Sequence, residues 1–158
     1  MSEEALADAL GRAYRYLGHR DRTVAELRTY LIGKDVAEEI ADGAIDELVE
    51  LGYVDDARFA RQFAEDKRNL DAWGSDRIER RLRELGVDRS LIAAALAALD
   101  EADGPTEVEV AVELLRRRFP APPETARDRE RALGLLVRRG YDLELAYDAI
   151  RAHGREAA

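Results

Sequence analysis

Asp55 and Asp56 stand side by side, the kind of carboxylate pair that general acid–base chemistry uses. Adjacent residues on a helix do not face one another, however, so the pair cannot close on one substrate proton. Asp55 is better placed as an N-cap, its carboxylate accepting from amides that the first turn of a helix leaves unpaired. The two histidines, His19 and His153, are far apart in sequence, each beside a predicted helix end. They read as solvated or C-terminal capping histidines rather than metal ligands or triad members. There is no cysteine, which excludes thiol nucleophiles, disulfides and cysteine-ligated zinc. No P-loop, GxGxxG or HExxH pattern occurs. The chain reads as a non-enzyme, without catalytic residues, metal or cofactor.

The arginines carry more information. Arg77, Arg80, Arg81 and Arg83 crowd one predicted helix, whose apolar row is Ile78, Leu82 and Leu85. Arg20 and Arg22 flank the turn before Thr23, and Arg116 to Arg118 close a later helix. Guanidinium forks grip carboxylates and phosphates bidentately, so the stripe suits an acidic protein groove or a nucleic-acid backbone. Taken singly, each arginine is explained as solvated surface, with Glu79 and Glu84 supplying intrahelical pairs. As a set, Arg20, Arg22, Arg77, Arg80, Arg81 and Arg83 form the candidate partner-binding surface. Arg77, Arg80 and Arg81 are expected opposite the apolar row, where their charge can change without touching the core. Trp73, in a polar turn just before this helix, reads as a wedge between repeats.

These side chains depend on helices to place them. With 46% hydrophobic and 37% charged residues, few aromatics and four prolines, the composition is that of an all-α protein. The formal net charge is −9 over 158 residues, and its distribution is uneven. Residues 1–54 are net −6, residues 55–103 net −3, and residues 104–158 neutral. Such a chain is a poor general polyanion binder, because duplex binding relies on neutralising several phosphates. The longest apolar run, Leu91 to Leu99, is too short to span a bilayer, and the acidic N-terminus differs from a secretory signal. No membrane association is expected, and a cytoplasmic location is.

The stretch Leu51 to Phe63 is a hinge. Gly52 can take positive φ after a helix ending near Leu51, and Asp55 caps the next one. Val54 and Phe59 have the spacing of a hydrophobic staple, and Phe59 and Phe63 share a helical face. Around this joint, apolar periodicity and capping signals predict nine helices, beginning with 4–17, a second capped by Thr23 and stopped by Gly33, and a third over 37–51. A fourth covers 56–70, a fifth is capped by Ser75 or Asp76, and a sixth runs from Asp88 to about Leu99. After a linker at 100–105 come helices capped by Thr106 and Thr125, separated by the extended Pro120-Ala121-Pro122-Pro123 run. A last helix follows Gly140-Tyr141-Asp142, and the tail from Gly154 is expected to fray.

The helices fall into three sets of three. Aligning Val36, Val87 and Tyr141 brings Leu31, Leu82 and Leu136 together five residues upstream, and Leu27, Ile78 and Ala132 nine upstream. Ile40, Leu91 and Leu145 coincide downstream, followed by Ile45, Leu96 and Ile150. Matched apolar positions at a period near 50 mark a repeat array whose units complete one another's cores. The expected architecture is an elongated all-α array of three tandem three-helix repeats over 1–54, 55–103 and 104–158.

Three segments together resemble the RecX family of regulatory proteins, which modulate the RecA recombinase. They are RDRTVAELRTYL at Arg20 to Leu31, GYVDDARFA at Gly52 to Ala60, and WGSDRIERRLRELGVDRSLI at Trp73 to Ile92. The resemblance is specific as a set across most of residues 10–100, and the last third matches only in its repeat pattern. It implies tandem three-helix repeats, no cofactor, and binding in the groove of the RecA–DNA filament with inhibition of ATPase and strand exchange. The partner it implies is that filament. The chain itself is expected to be a monomer, and its net charge of −9 leaves weak or no independent DNA binding. A helical DNA-binding module acting through its basic helix is the alternative.

Overall fold

The computed structural model describes residues 2–156. Among them the chain forms helices α1 (Glu3–Leu17), α2 (Val24–Gly33), α3 (Glu38–Glu50), α4 (Asp56–Asp71), α5 (Ser75–Glu84), α6 (Arg89–Glu101), α7 (Glu107–Arg118), α8 (Ala126–Arg138) and α9 (Leu143–Glu156). No strand occurs among the described residues. The all-α class and the helix count expected from periodicity are therefore observed.

One local device ends four of these helices. Tyr53, Val36, Val87 and Tyr141 donate their N–H groups to the carbonyls of Leu48, Leu31, Leu82 and Leu136, at 2.9–3.1 Å. The residue before each donor has positive φ: Gly52, Asp35, Gly86 and Gly140. This is the Schellman arrangement, which satisfies carbonyls orphaned at a helix end. It explains why Val36, Val87 and Tyr141 serve as equivalent anchors in the sequence. The helix α2 ends at Gly33, as expected, and the left-handed residue of the turn that follows it is Asp35.

Two helix ends differ from expectation. Neither Ser75 nor Asp76 caps α5. Ser75 is its first residue, and its N–H is received by Glu107 Oε1 at 2.8 Å, while the Asp76 N–H goes to the Gly140 carbonyl at 3.0 Å. The acceptors come from elsewhere in the fold, so no local signal announces them. At the other end of the chain, α9 continues past Gly154 to Glu156, whose carboxylate pairs with Arg116 of α7.

The chain divides into two compact units. The first holds residues up to Ala60 together with Leu82–Ile92, and the second holds Arg61–Arg81 and the chain from Ala93 onward. In the first, α1, α2 and α3 enclose Ala9, Ala13, Leu27, Leu31, Ala41, Ala44, Ile45, Leu48 and Val54. The small residues of α1 and α3 let their backbones approach, and the leucines fill the space between. Thr23 ties this unit together: its side chain accepts from the Glu26 N–H, and its hydroxyl donates to the Leu85 carbonyl at 2.6 Å. In the second unit, α7 and α8 pack on α9 around Val112, Leu115, Ala132, Leu136, Tyr141 and Ala146.

At the hinge, Asp55 accepts the Arg58 N–H at 3.0 Å, while Val54 is buried and Phe59 is half-buried. Asp55→Ala is accordingly expected to cost about 0.5–2 kcal/mol. Phe59→Ala falls below the roughly 3–5 kcal/mol of a fully buried phenylalanine, since part of its ring already meets water. Thermal melts of both variants check this, and an unchanged melt for Asp55→Ala would remove the capping role.

Candidate functional site

The two carboxylates at the hinge diverge. Asp55 caps its own helix, whereas Asp56 Oδ1 accepts the Val24 N–H at the start of α2, 2.9 Å away. Burial holds the Asp56 carboxyl above the usual aspartate pKa range, against the opposing pull of that hydrogen bond. Their geometry is that of two helix caps rather than a shared-proton pair. His19 is exposed. His153 is buried, and its Nε2–H donates to the Phe119 carbonyl at 2.8 Å, closing the C-terminus of α7 from a different helix. Among the described residues no group of three or more histidine, aspartate or glutamate side chains is placed to hold a metal ion.

The six candidate arginines separate into different environments. Arg20 donates to the Asp21 carbonyl and to both carboxylate oxygens of Glu26. Arg22 shares the same carboxylate at 3.7 Å and lies over the Tyr16 ring at 3.8 Å, with Tyr16 stacked in turn on Tyr30 at 3.9 Å. The Arg22 Nε is buried and has no hydrogen-bond partner among the described residues. This pair of arginines is therefore folded back on its own unit. On α5, Arg80, Arg81 and Arg83 are exposed.

Arg77 corrects the expectation that it lies clear of the core. It is half-buried: its guanidinium stacks on Trp73 at 4.1 Å and reaches the Arg138 carbonyl at 3.5 Å. Position 77 also faces Gly140 closely enough that a Cβ there would come within 2.3 Å of the Arg77 Cβ. A charge reversal at Arg77 would thus disturb packing as well as charge.

Trp73 sits at the edge of an open cleft of about 550 Å³ in the second unit. Leu70, Asp71, Arg77, Leu114, Arg117, Arg118 and Arg139 complete its lining. Lys67 approaches the indole at 4.8 Å and pairs with Asp71 at 3.2 Å. The neighbouring arginines of α7 are used differently: Arg116 pairs with Glu113 and Glu156, whereas Arg117 and Arg118 enter no ion pair among the described residues.

Beneath this cleft is a polar cluster that periodicity does not reveal. Arg68 is buried, with Nε donating to the Trp73 carbonyl at 2.9 Å, Nη2 to the Ser75 hydroxyl at 2.8 Å, and Glu107 at 3.8 Å. Tyr141 is buried beside it and donates its hydroxyl to the Ala72 carbonyl at 2.7 Å. Burial pushes this phenol up to about 12, so it remains a donor throughout the physiological range. Ala72 holds a left-handed φ of 55°, a conformation costly for a residue with a Cβ. The Tyr141 bond and the Arg139 bond to the Asp71 carbonyl, at 2.7 Å, hold this turn in place. In the sequence Arg68 looks like any surface arginine of a charged helix, and only its fall on the Ala60–Ala64 face hints at burial.

Two family profiles match the chain: the first three-helix domain of RecX over residues 9–48 and the second over residues 55–96. Among curated relatives, Regulatory protein RecX of Mycolicibacterium smegmatis is 35% identical over 86% of this chain and 74% of its own length. Regulatory protein RecX of Mycolicibacterium vanbaalenii is 36% identical over 87% of this chain and 78% of its own. The crystal structure of RecX from Lactobacillus salivarius superposes with a TM-score of 0.82 at 20% identity, covering 96% of this chain and 98% of that one, and so shows a shared fold. A second crystal structure of regulatory protein RecX has a TM-score of 0.76 at 26% identity, covering 94% of this chain and 72% of the other. On two profiles and on relatives aligned over most of their length, the chain belongs to the RecX family of regulatory proteins.

Proposed function

We propose that the chain binds the filament formed by the RecA recombinase on DNA and inhibits its ATPase and strand exchange, thereby modulating recombination and DNA repair. Membership of the RecX family, through relatives aligned over most of the chain, is the observation that carries this reading. Its acidic net charge agrees with a protein partner rather than independent grip on DNA. The acting form is proposed to be a cytoplasmic monomer of three repeats, 1–54, 55–103 and 104–158. Among the described residues no helix is long and apolar enough to cross a membrane.

Adding the protein to the cognate recombinase on single-stranded DNA and following ATP hydrolysis tests the reading directly. Inhibition at stoichiometric protein is expected, and unchanged hydrolysis would sink it. Bare duplex at roughly 150 mM salt should bind only weakly, with Kd above about 1 μM. A tighter value would favour the DNA-binding alternative.

The exposed arginines of α5 supply a sharper prediction. Because Arg77 packs on Trp73, the informative variant reverses Arg80, Arg81 and Arg83 to glutamate and leaves Arg77 alone. Exposed charges contribute only about 0–1 kcal/mol each to stability, so the melt should move little. Filament inhibition should weaken at least about tenfold, the equivalent of about 1.4 kcal/mol. A folded triple variant that inhibits like the parent would make the stripe a solvated face.

A further inference from the structure

The cleft at Trp73 is not accounted for by the stripe on α5 or by the polar cluster beneath it. Its lining combines four arginines, one aspartate, a half-buried indole and two leucines. Two of the guanidinium groups are held in place from behind: Arg77 by the Arg138 carbonyl and the indole, and Arg139 by the Asp71 carbonyl. The other two, Arg117 and Arg118, are exposed and form no ion pair among the described residues. The single carboxylate of the lining, Asp71, is already engaged by Lys67. A chain that is net acidic thus concentrates cationic groups in one concavity and leaves two of them without counter-charges. Preoriented guanidinium forks beside free ones are a receptor for carboxylate or phosphate oxygens.

Two observations choose between these. Nucleic-acid single strands are held by bases stacking on aromatic faces. Here the indole is covered by the Arg77 guanidinium at 4.1 Å and approached by Lys67 at 4.8 Å, so its face is already taken by cations. Leu70, at the rim, is 79% exposed and offers an apolar contact that a sugar–phosphate backbone does not use. A peptide has use for both kinds of surface. We infer that the Trp73 cleft is a docking site for an acidic peptide segment of a partner protein, with carboxylates on Arg117 and Arg118 and an apolar side chain against Leu70. The inference rests on the filament reading only in taking the partner to be a protein.

The test uses the full chain and a fluorescent peptide of glutamates flanking a single leucine, with a glutamine counterpart and an oligothymidylate of equal charge. The acidic peptide should bind and the glutamine peptide should not. Affinity should fall as salt is raised, since the groove charges are exposed. Arg117→Glu with Arg118→Glu should weaken binding at least about tenfold. Leu70→Glu, at an exposed position of the same cleft, should act in the same direction and provides a second variant should the first fail to fold. Absence of binding to the acidic peptide, or binding that ignores both variants, overturns the inference. Displacement of the peptide by the oligothymidylate at a lower concentration than by unlabelled peptide also overturns it, in favour of a nucleic-acid site. Filament ATPase inhibition, measured in parallel on the parent chain, separates the two readings: inhibition without peptide binding removes only the cleft.

Discussion

Gly140→Ala is expected to destabilise the second unit by about 2–6 kcal/mol, from two additive causes. Gly140 has φ of +98°, where an L side chain is strained by roughly 1–3 kcal/mol. Its missing Cβ would also lie 2.3 Å from the Arg77 Cβ and 2.6 Å from the Arg77 backbone nitrogen. Overpacking of this kind costs about 1–3 kcal/mol, and here backbone atoms must move to relieve it. Gly74→Ala presses on the same joint from the opposite side. Its Cβ would meet the Gly140 carbonyl oxygen at 2.4 Å and the Tyr141 nitrogen at 2.6 Å, so that helix α5 could no longer seat its first turn on the turn between α8 and α9. Trp73 is the sole tryptophan and sits next to Gly74, so its fluorescence reports on this unit directly. At roughly 2–4 °C per kcal/mol for a chain of this size, a fall in Tm of about 4 °C or more is expected for either variant. Gly154→Ala is the internal control: nothing lies within 4 Å, the position is helical, and a gain of about 0.5–1 kcal/mol is expected. Equal melts for Gly140→Ala and Gly154→Ala would refute the close approach.

Arg68→Met should be comparably damaging. The substitution keeps the length of the aliphatic stem but removes the donors to the Trp73 carbonyl and the Ser75 hydroxyl, and strips Glu107 of its cationic neighbour. Breaking a fully buried pair by deleting one partner costs about 3–5 kcal/mol, and this is the upper bound here because the Glu107 side chain keeps 18% of its surface exposed. Adding Glu107→Gln should restore part of the loss. Glutamine can still accept the Ser75 N–H through its amide oxygen, and no uncompensated charge is left behind. Denaturant melts of the single and double variants form the decisive comparison. A single variant costing under about 1 kcal/mol, or a double variant worse than the sum of its parts, would show that Arg68 is not the keystone of the turn at Ala72.

The sequence by itself determined the helices and their order, because their information is local. Amphipathic spacing, Thr23, Asp55, Thr106 and Thr125 as caps, and the Gly-x-Asp turns at Gly86 and Gly140 all act within one or two turns of chain. The repeat was legible for the same reason: Leu31, Leu82 and Leu136 are each buried one Schellman turn before an anchor, and burial recurs wherever the local pattern does. The RecX resemblance likewise rode on short segments in order. What the tertiary structure alone decided are the interactions whose partners are distant in the chain. The start of α5 is capped by Glu107 and Gly140, and the turn after α2 passes through a left-handed Asp35 rather than a glycine. Arg68, Arg77 and Arg80 are chemically alike in a charged stretch, yet one is buried, one stacks on Trp73 and one is solvated. A guanidinium on a long stem can serve any of these environments, and the neighbour that chooses among them comes from helices folded onto it. The cleft at Trp73 belongs to this second class: Leu70, Arg117 and Arg139 lie on three helices or their ends, and only their packing makes one basic concavity of them.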